Sequence, residues 1–256
     1  YDWAKVISSR QVDYAGQESG VPEQLSWRRL QPALPSKANC GRVSATDLAH
    51  PGVARLLENP ALTLMPADQW PPRLRAPCHH VPEDADAILS GLLDIGLMTM
   101  HPYEGVATSQ AGKLLSGWFG VGKGRCLDGH EGDPEFEILR FIMNFVPLNA
   151  VSNPIQGDIE QLPYMGQWSA LHLDAWESFV WSSEDIACMF YVTSIPQEWL
   201  VYMALSCGDD LPGPDLPQEV LAATVLGVGS LSSDGIAQRL IRQLILKAPR
   251  LGAGLD

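Results

Sequence analysis

The chain has 256 residues, 46% of them hydrophobic, and a formal net charge of −13; this is enough apolar material for a real core, and it excludes a protein that coats nucleic acid through bulk positive charge. No run of about 18 apolar residues occurs, so no segment is expected to cross a membrane, and the start "YDWAKVISSRQ" has neither an initiator Met nor a signal-type apolar block. Five cysteines (Cys40, Cys78, Cys126, Cys188 and Cys207) without paired spacing point to a reducing intracellular compartment, cytoplasm or nucleus, rather than a disulfide framework.

Residues 1–85 are rich in Pro, Gly and Ser and read as an irregular N-terminal extension, with short helical signals such as "GVARLLEN" at 52–59. In "PCHHVP", Cys78, His79 and His80 are adjacent. Adjacent side chains rarely point at one metal and no second ligand pair follows, so a zinc site is not expected there. "EDADAILSGLLDIGLM" (83–98) places Ile88, Leu89, Leu92 and Leu93 at helical spacing and predicts a short amphipathic helix stopped by Gly96.

From about 118 the texture becomes strand-like: "WFGV" (118–121), "EILRFIMNFV" (137–146) and "DIACMFYVTSI" (185–195). The second run alternates, with Leu139, Phe141, Met143 and Phe145 on one face and Ile138, Arg140, Ile142 and Asn144 on the other. "SSDGIAQRLIRQLILKAP" (232–249) has Ser at its start, an apolar stripe through Ile236, Leu240, Ile241, Leu244 and Ile245, and Pro249 just past its end, which predicts a helix. Strands followed by a helix suggest an α+β fold, with the extension at 1–85 and the folded unit at 86–256.

Charge is patterned within the acidic whole. Lys113, Lys123, Arg125 and Arg140 precede a second basic group of Arg239, Arg242, Lys247 and Arg250. "GWFGVGKG" (117–124) nearly matches a phosphate loop, but Gly124 stands where a Ser or Thr should bind Mg²⁺, so a glycine-rich hairpin carrying Lys123 is the simpler reading and a phosphate-loop hydrolase a rival one. In "WSSEDIACMFYV" (181–192), Asp185 heads an apolar run, with Phe190 and Tyr191 placed to wall a pocket beside it.

"RFIMNFVPLN", "SSEDIACMFYV" and "GSLSSDGIAQ" resemble successive motifs of reverse transcriptases, most closely the divergent, retroelement-like members of protist genomes, over about 118–248. The resemblance implies the fingers and an incomplete palm of a right-hand RNA-directed DNA polymerase, a nucleotidyltransferase of retrotransposon type. Phe119 and Lys123 resemble the first fingers strand, and Arg140, Asn144, Leu148 and Asn149 the returning one. It implies that Lys123 and Arg140 hold the phosphates of a deoxynucleoside triphosphate, a task suited to paired cations on facing strands.

It implies further that Asp185 is the catalytic ligand of Mg²⁺, with the backbone of Ile186 against the same metal and Phe190 packing under the sugar as a gate against a 2′-hydroxyl. Gly229 and Gln238 resemble the motif that supports the template and nascent pair, so primer-template nucleic acid (RNA or DNA) is the implied partner. The sequence departs from the family at Val146, Gly227 and Val228, and "LDGHEGDPEFE" (127–137) is a long acidic connection that would repel a template phosphate if it folded inward.

"ALSCGDDLPGPDLP" (204–217) contains a Gly-Asp-Asp of the kind that polymerases present to metal. It precedes the 232–248 helix, where the family draws its second carboxylates from a hairpin after that helix, and prolines fill the expected return strand. Asp209 and Asp210 are therefore expected in a solvated turn. The expected hairpin would begin beyond Asp256, so the chain is expected to be a fragment that is inactive as supplied, the alternative being a decayed or repurposed nucleic-acid-binding module without catalysis.

Overall fold

The computed structural model of the chain describes residues 21–72, 74–109, 112–155, 172–178, 186–206 and 218–247. Within them the protein is a mixed α/β structure with four small sheets among the described residues. Its elements are α1 (Trp27–Leu30), β1 (Val43–Ser44), α2 (Ala45–Leu48), α3 (Pro51–Glu58), α4 (Ala85–Asp94), β2 (Met98–Pro102), β3 (Thr108–Ser109), β4 (Gly112–Lys113), β5 (Gly117–Cys126), β6 (Glu137–Asn144), α5 (Val146–Asn149), α6 (Met189–Val192), β7 (Thr193–Ser194), β8 (Ala204–Leu205), β9 (Glu219–Ala223) and α7 (Ser233–Lys247). No helix among the described residues is long and apolar enough to cross a membrane.

Several of these elements follow local sequence rules. Helix α3 starts with Pro51 at its first position, and the His50 Nδ1 accepts the Gly52 N–H at 3.2 Å, satisfying one of the free amides at a helix start. Helix α4 buries Ile88 and Leu92 and stops at Asp94, two residues before Gly96. Helix α1 instead depends on a distant partner: the Trp27 N–H donates to Asp84 Oδ2 at 2.9 Å.

Strand β9 is the middle of an antiparallel sheet ordered β2-β9-β8, with Met98 opposite Ala223 and Leu205 opposite Leu221. Single bridges carry extended backbone outward from it, Ser116 beside Leu205, Trp118 beside Cys78 and His80 beside Leu25. Residues before 85 therefore pack at the centre. Leu25, Leu30, Leu57 and Leu74 belong to one core cluster with Ile88, Trp118, Phe141, Leu221 and Leu240. The β8–β9 connection at 207–217, which holds "CGDD", lies outside the described residues.

The run expected as a strand at 185–195 is a correction. After Asp185, which lies outside the described residues, the chain makes a turn into α6, and only Thr193–Ser194 is extended. Cys188 has φ 57°, in the left-handed region, and its carbonyl accepts from Tyr191 N–H at 2.7 Å and Val192 N–H at 3.1 Å. A short apolar run has no periodicity that separates a buried strand from a buried helical turn. Strand β7 then pairs in parallel with β1, Val43 opposite Thr193.

Candidate functional site

Strands β5 and β6 form an antiparallel hairpin in which Phe119 lies opposite Ile142 and Val121 opposite Arg140. Side chains alternate across such a pair, and the two faces differ as the alternation predicts. Leu139, Phe141, Met143 and Phe145 are buried, whereas Arg140 is exposed and Ile142 and Asn144 are half-buried; Ile138, on the Arg140 face, departs from the pattern and is buried. The register is interrupted between Gly122 and Cys126, leaving Lys123, Gly124 and Arg125 in a bulge that re-aims side chains.

That bulge gathers three cations. Partial burial holds the Lys123 ammonium below the usual lysine range; Cys188 opposes this, and Arg125 and Arg140 push it down further. Two ion pairs occur among the described residues, Arg29 with Glu23 and Lys37 with Asp94, so no described carboxylate pairs with Lys123, Arg125 or Arg140. A cluster of like charges repels itself unless an anion joins it. The glycine-rich stretch is strand rather than the strand–loop–helix that a phosphate loop requires.

Helix α6 closes one side of this face. Tyr191 is 5% exposed, its hydroxyl donates to the Phe141 carbonyl of β6, and burial pushes its phenol well above the usual tyrosine range. Tyr191, expected in a pocket wall, is therefore a core residue tying the turn to the hairpin. Phe190 is half-buried against the core, and Ile186 is 39% exposed at the start of the turn.

On another side, the Val228 carbonyl accepts the Met143 N–H of β6 at 3.1 Å. Gly229 follows with φ 109°, and a Cβ there would stand 2.3 Å from the Met143 carbonyl oxygen, so only glycine fits. Asn149 clamps this loop with both ends of its amide, donating from Nδ2 to the Gly229 carbonyl at 2.8 Å and accepting the Leu231 N–H on Oδ1 at 2.9 Å. Ser233 donates to the Gly227 carbonyl at 2.8 Å and Ser232 accepts the Ile155 N–H at 3.0 Å. Gln238 is half-buried on α7, which packs on α6.

The structure thus brings Lys123 and Arg140 together and sets Gly229 at the far end of Arg140's strand. The carboxylate expected to bind Mg²⁺ belongs to Asp185, outside the described residues, and no group of three His, Cys, Asp or Glu side chains among the described residues is placed to hold a metal ion. The acidic connection after β5 is folded on itself, with His130 stacked on Phe136 at 3.7 Å and Arg28 of α1 lying 4.8 Å over the Phe136 ring. Arg125, Asn149 and Tyr191 complete the surroundings. Arg125 shows in the sequence as one of a basic group, and Asn149 and Tyr191 lie in runs already singled out, but nothing local marks their partners, which lie 82 and 50 residues away.

Comparison with known proteins finds no matching family model and no matching curated protein. Among solved structures, the chain is similar to the crystal structure of the prototype foamy virus protease-reverse transcriptase CSH mutant, with a TM-score of 0.37 and 13% identity over 71% of this chain and 20% of that one. The chain spans about a fifth of that protein's length. A likeness at this level establishes neither fold nor activity for this chain.

Proposed function

We propose that the β5–β6 face is a triphosphate-binding surface and that the chain carries the fingers and part of the palm of a reverse-transcriptase-like nucleotidyltransferase. The observation that carries this reading is the convergence of Lys123, Arg125 and Arg140 on one hairpin face with no described carboxylate among their ion-pair partners. Cations with no described carboxylate as an ion-pair partner suit a polyphosphate, whose oxygens accept several charge-assisted hydrogen bonds at once.

In this reading Arg140 and Lys123 hold the phosphates of a deoxynucleoside triphosphate. Phe190 gates the sugar, Gly229 and Gln238 face the primer-template, and the Asp185 carboxylate with the Ile186 backbone would hold Mg²⁺. Fluorescence titration of the protein with a deoxynucleoside triphosphate tests it. Lys123→Ala and Arg140→Ala should each weaken binding about tenfold or more, and Phe190→Val should bring ribonucleotide affinity up to the deoxynucleotide level. Equal affinity in wild type, Lys123→Ala and Arg140→Ala would remove the proposal.

A further inference from the structure

We propose that Glu137 is a positioning residue for Lys123: its carboxylate takes the amide of Gly124 and fills the space that a side chain at Gly122 would need. The inference rests on the reading of the hairpin face as an anion site. Glu137 Oε1 accepts the Gly124 N–H at 2.7 Å. The same carboxylate lies over Gly122, where a Cβ would stand 2.3 Å from Oε1 and 2.8 Å from Oε2. Gly124 has φ 71°, which turns its N–H toward that carboxylate at no steric cost.

One side chain from the opposite strand therefore bonds the residue after Lys123 and lies over the residue before it, Gly122, which is itself in the ladder opposite Leu139. Glu137 is itself anchored, because its backbone carbonyl accepts Arg29 Nε at 2.7 Å. The bulge has no ladder partner between Gly122 and Cys126, so without the carboxylate nothing described pins the Gly124 amide. The near-match to a phosphate loop gains a different cause: the amide that such a loop would offer to a phosphate is already given to Glu137, and the phosphate-binding group left at this position is the Lys123 side chain.

The charge and the position of Glu137 have opposite effects on Lys123, which makes the proposal testable without any ligand. Deleting an anion near a lysine lowers the lysine's pKa, whereas releasing Lys123 from its half-buried place beside Arg125, Arg140 and Cys188 raises it. The chain has five lysines, so ¹³C-lysine NMR on the full chain resolves the Lys123 titration, with Lys123→Arg assigning the signal.

Glu137→Ala should move the Lys123 midpoint up toward the ordinary lysine value. Gly122→Ala, which displaces the carboxylate without removing it, should do the same, and Glu137→Gln, whose amide oxygen still accepts the Gly124 N–H, should leave the midpoint unchanged or lower. A Glu137→Ala midpoint at or below that of wild type overturns the proposal. Titration with inorganic tripolyphosphate should rank Glu137→Gln at least equal to wild type, with Glu137→Ala about fivefold weaker. If wild type binds no tripolyphosphate while the midpoint still rises in Glu137→Ala, the anion-site reading falls and the hold of Glu137 on Lys123 stands.

Discussion

The β5–β6 hairpin and the 186–195 turn meet at Phe141, and they are held in place by different means. The hairpin is built from its own ladder and from an alternation broken only at buried Ile138, with Phe141 fully buried and Arg140 beside it exposed. The turn has almost no regular structure of its own. It is fixed by the Tyr191 hydroxyl on the Phe141 carbonyl, by the Gly41 N–H donating to the Tyr191 carbonyl at 2.9 Å, and by β7 between β1 and Val225. One half of the candidate site is thus locally encoded, and the other half exists only once the core has formed.

Mutations should separate the two. Phe141→Ala empties a fully buried ring site shared by both regions and should cost about 3–5 kcal/mol in urea unfolding, lowering the midpoint with little change in slope. Tyr191→Phe keeps the ring but leaves the buried Phe141 carbonyl without its donor, for a loss of about 1–3 kcal/mol. Hydrogen exchange should show that loss first in 188–195, with the hairpin amides still protected. Cys188→Gly relieves the left-handed backbone and should stabilise the turn by up to about 1 kcal/mol.

The smallest effect lies on the hairpin's outer face. Because Lys123 titrates below the ordinary lysine value, the unfolded chain binds more protons than the folded one at pH values between the two, and stability rises there as pH increases. Lys123→Ala should flatten that alkaline rise in thermal unfolding profiles and leave stability at neutral pH nearly unchanged.

This contrast also explains what can be read without a structure. The apolar face of β6, the helix stopped before Gly96 and the long C-terminal helix all announce themselves through periodicity. Lys123 and Arg140 are readable as a pair because their strands are adjacent in sequence. The sheet β2-β9-β8 is not, since the apolar part of "EVLAA" is too short to show a period, and its pairing joins Met98 to Ala223, far apart in the chain. Glu137 sits in an acidic connection that reads as repulsive, yet its carboxylate is bonded to Gly124. The core role of residues before 85 is hidden for a similar reason: Leu25 and Leu30 are surrounded by irregular chain and meet their partners only in three dimensions.

The most direct test of the hairpin face is calorimetric titration of inorganic tripolyphosphate into the protein at two salt concentrations, with wild type and a Lys123→Ala, Arg125→Ala, Arg140→Ala triple variant side by side. The account predicts wild-type binding that weakens as salt rises, through screening of the charges involved, and no measurable binding by a triple variant that still unfolds cooperatively. Wild-type heats indistinguishable from dilution, or equal binding by the folded triple variant, would contradict it.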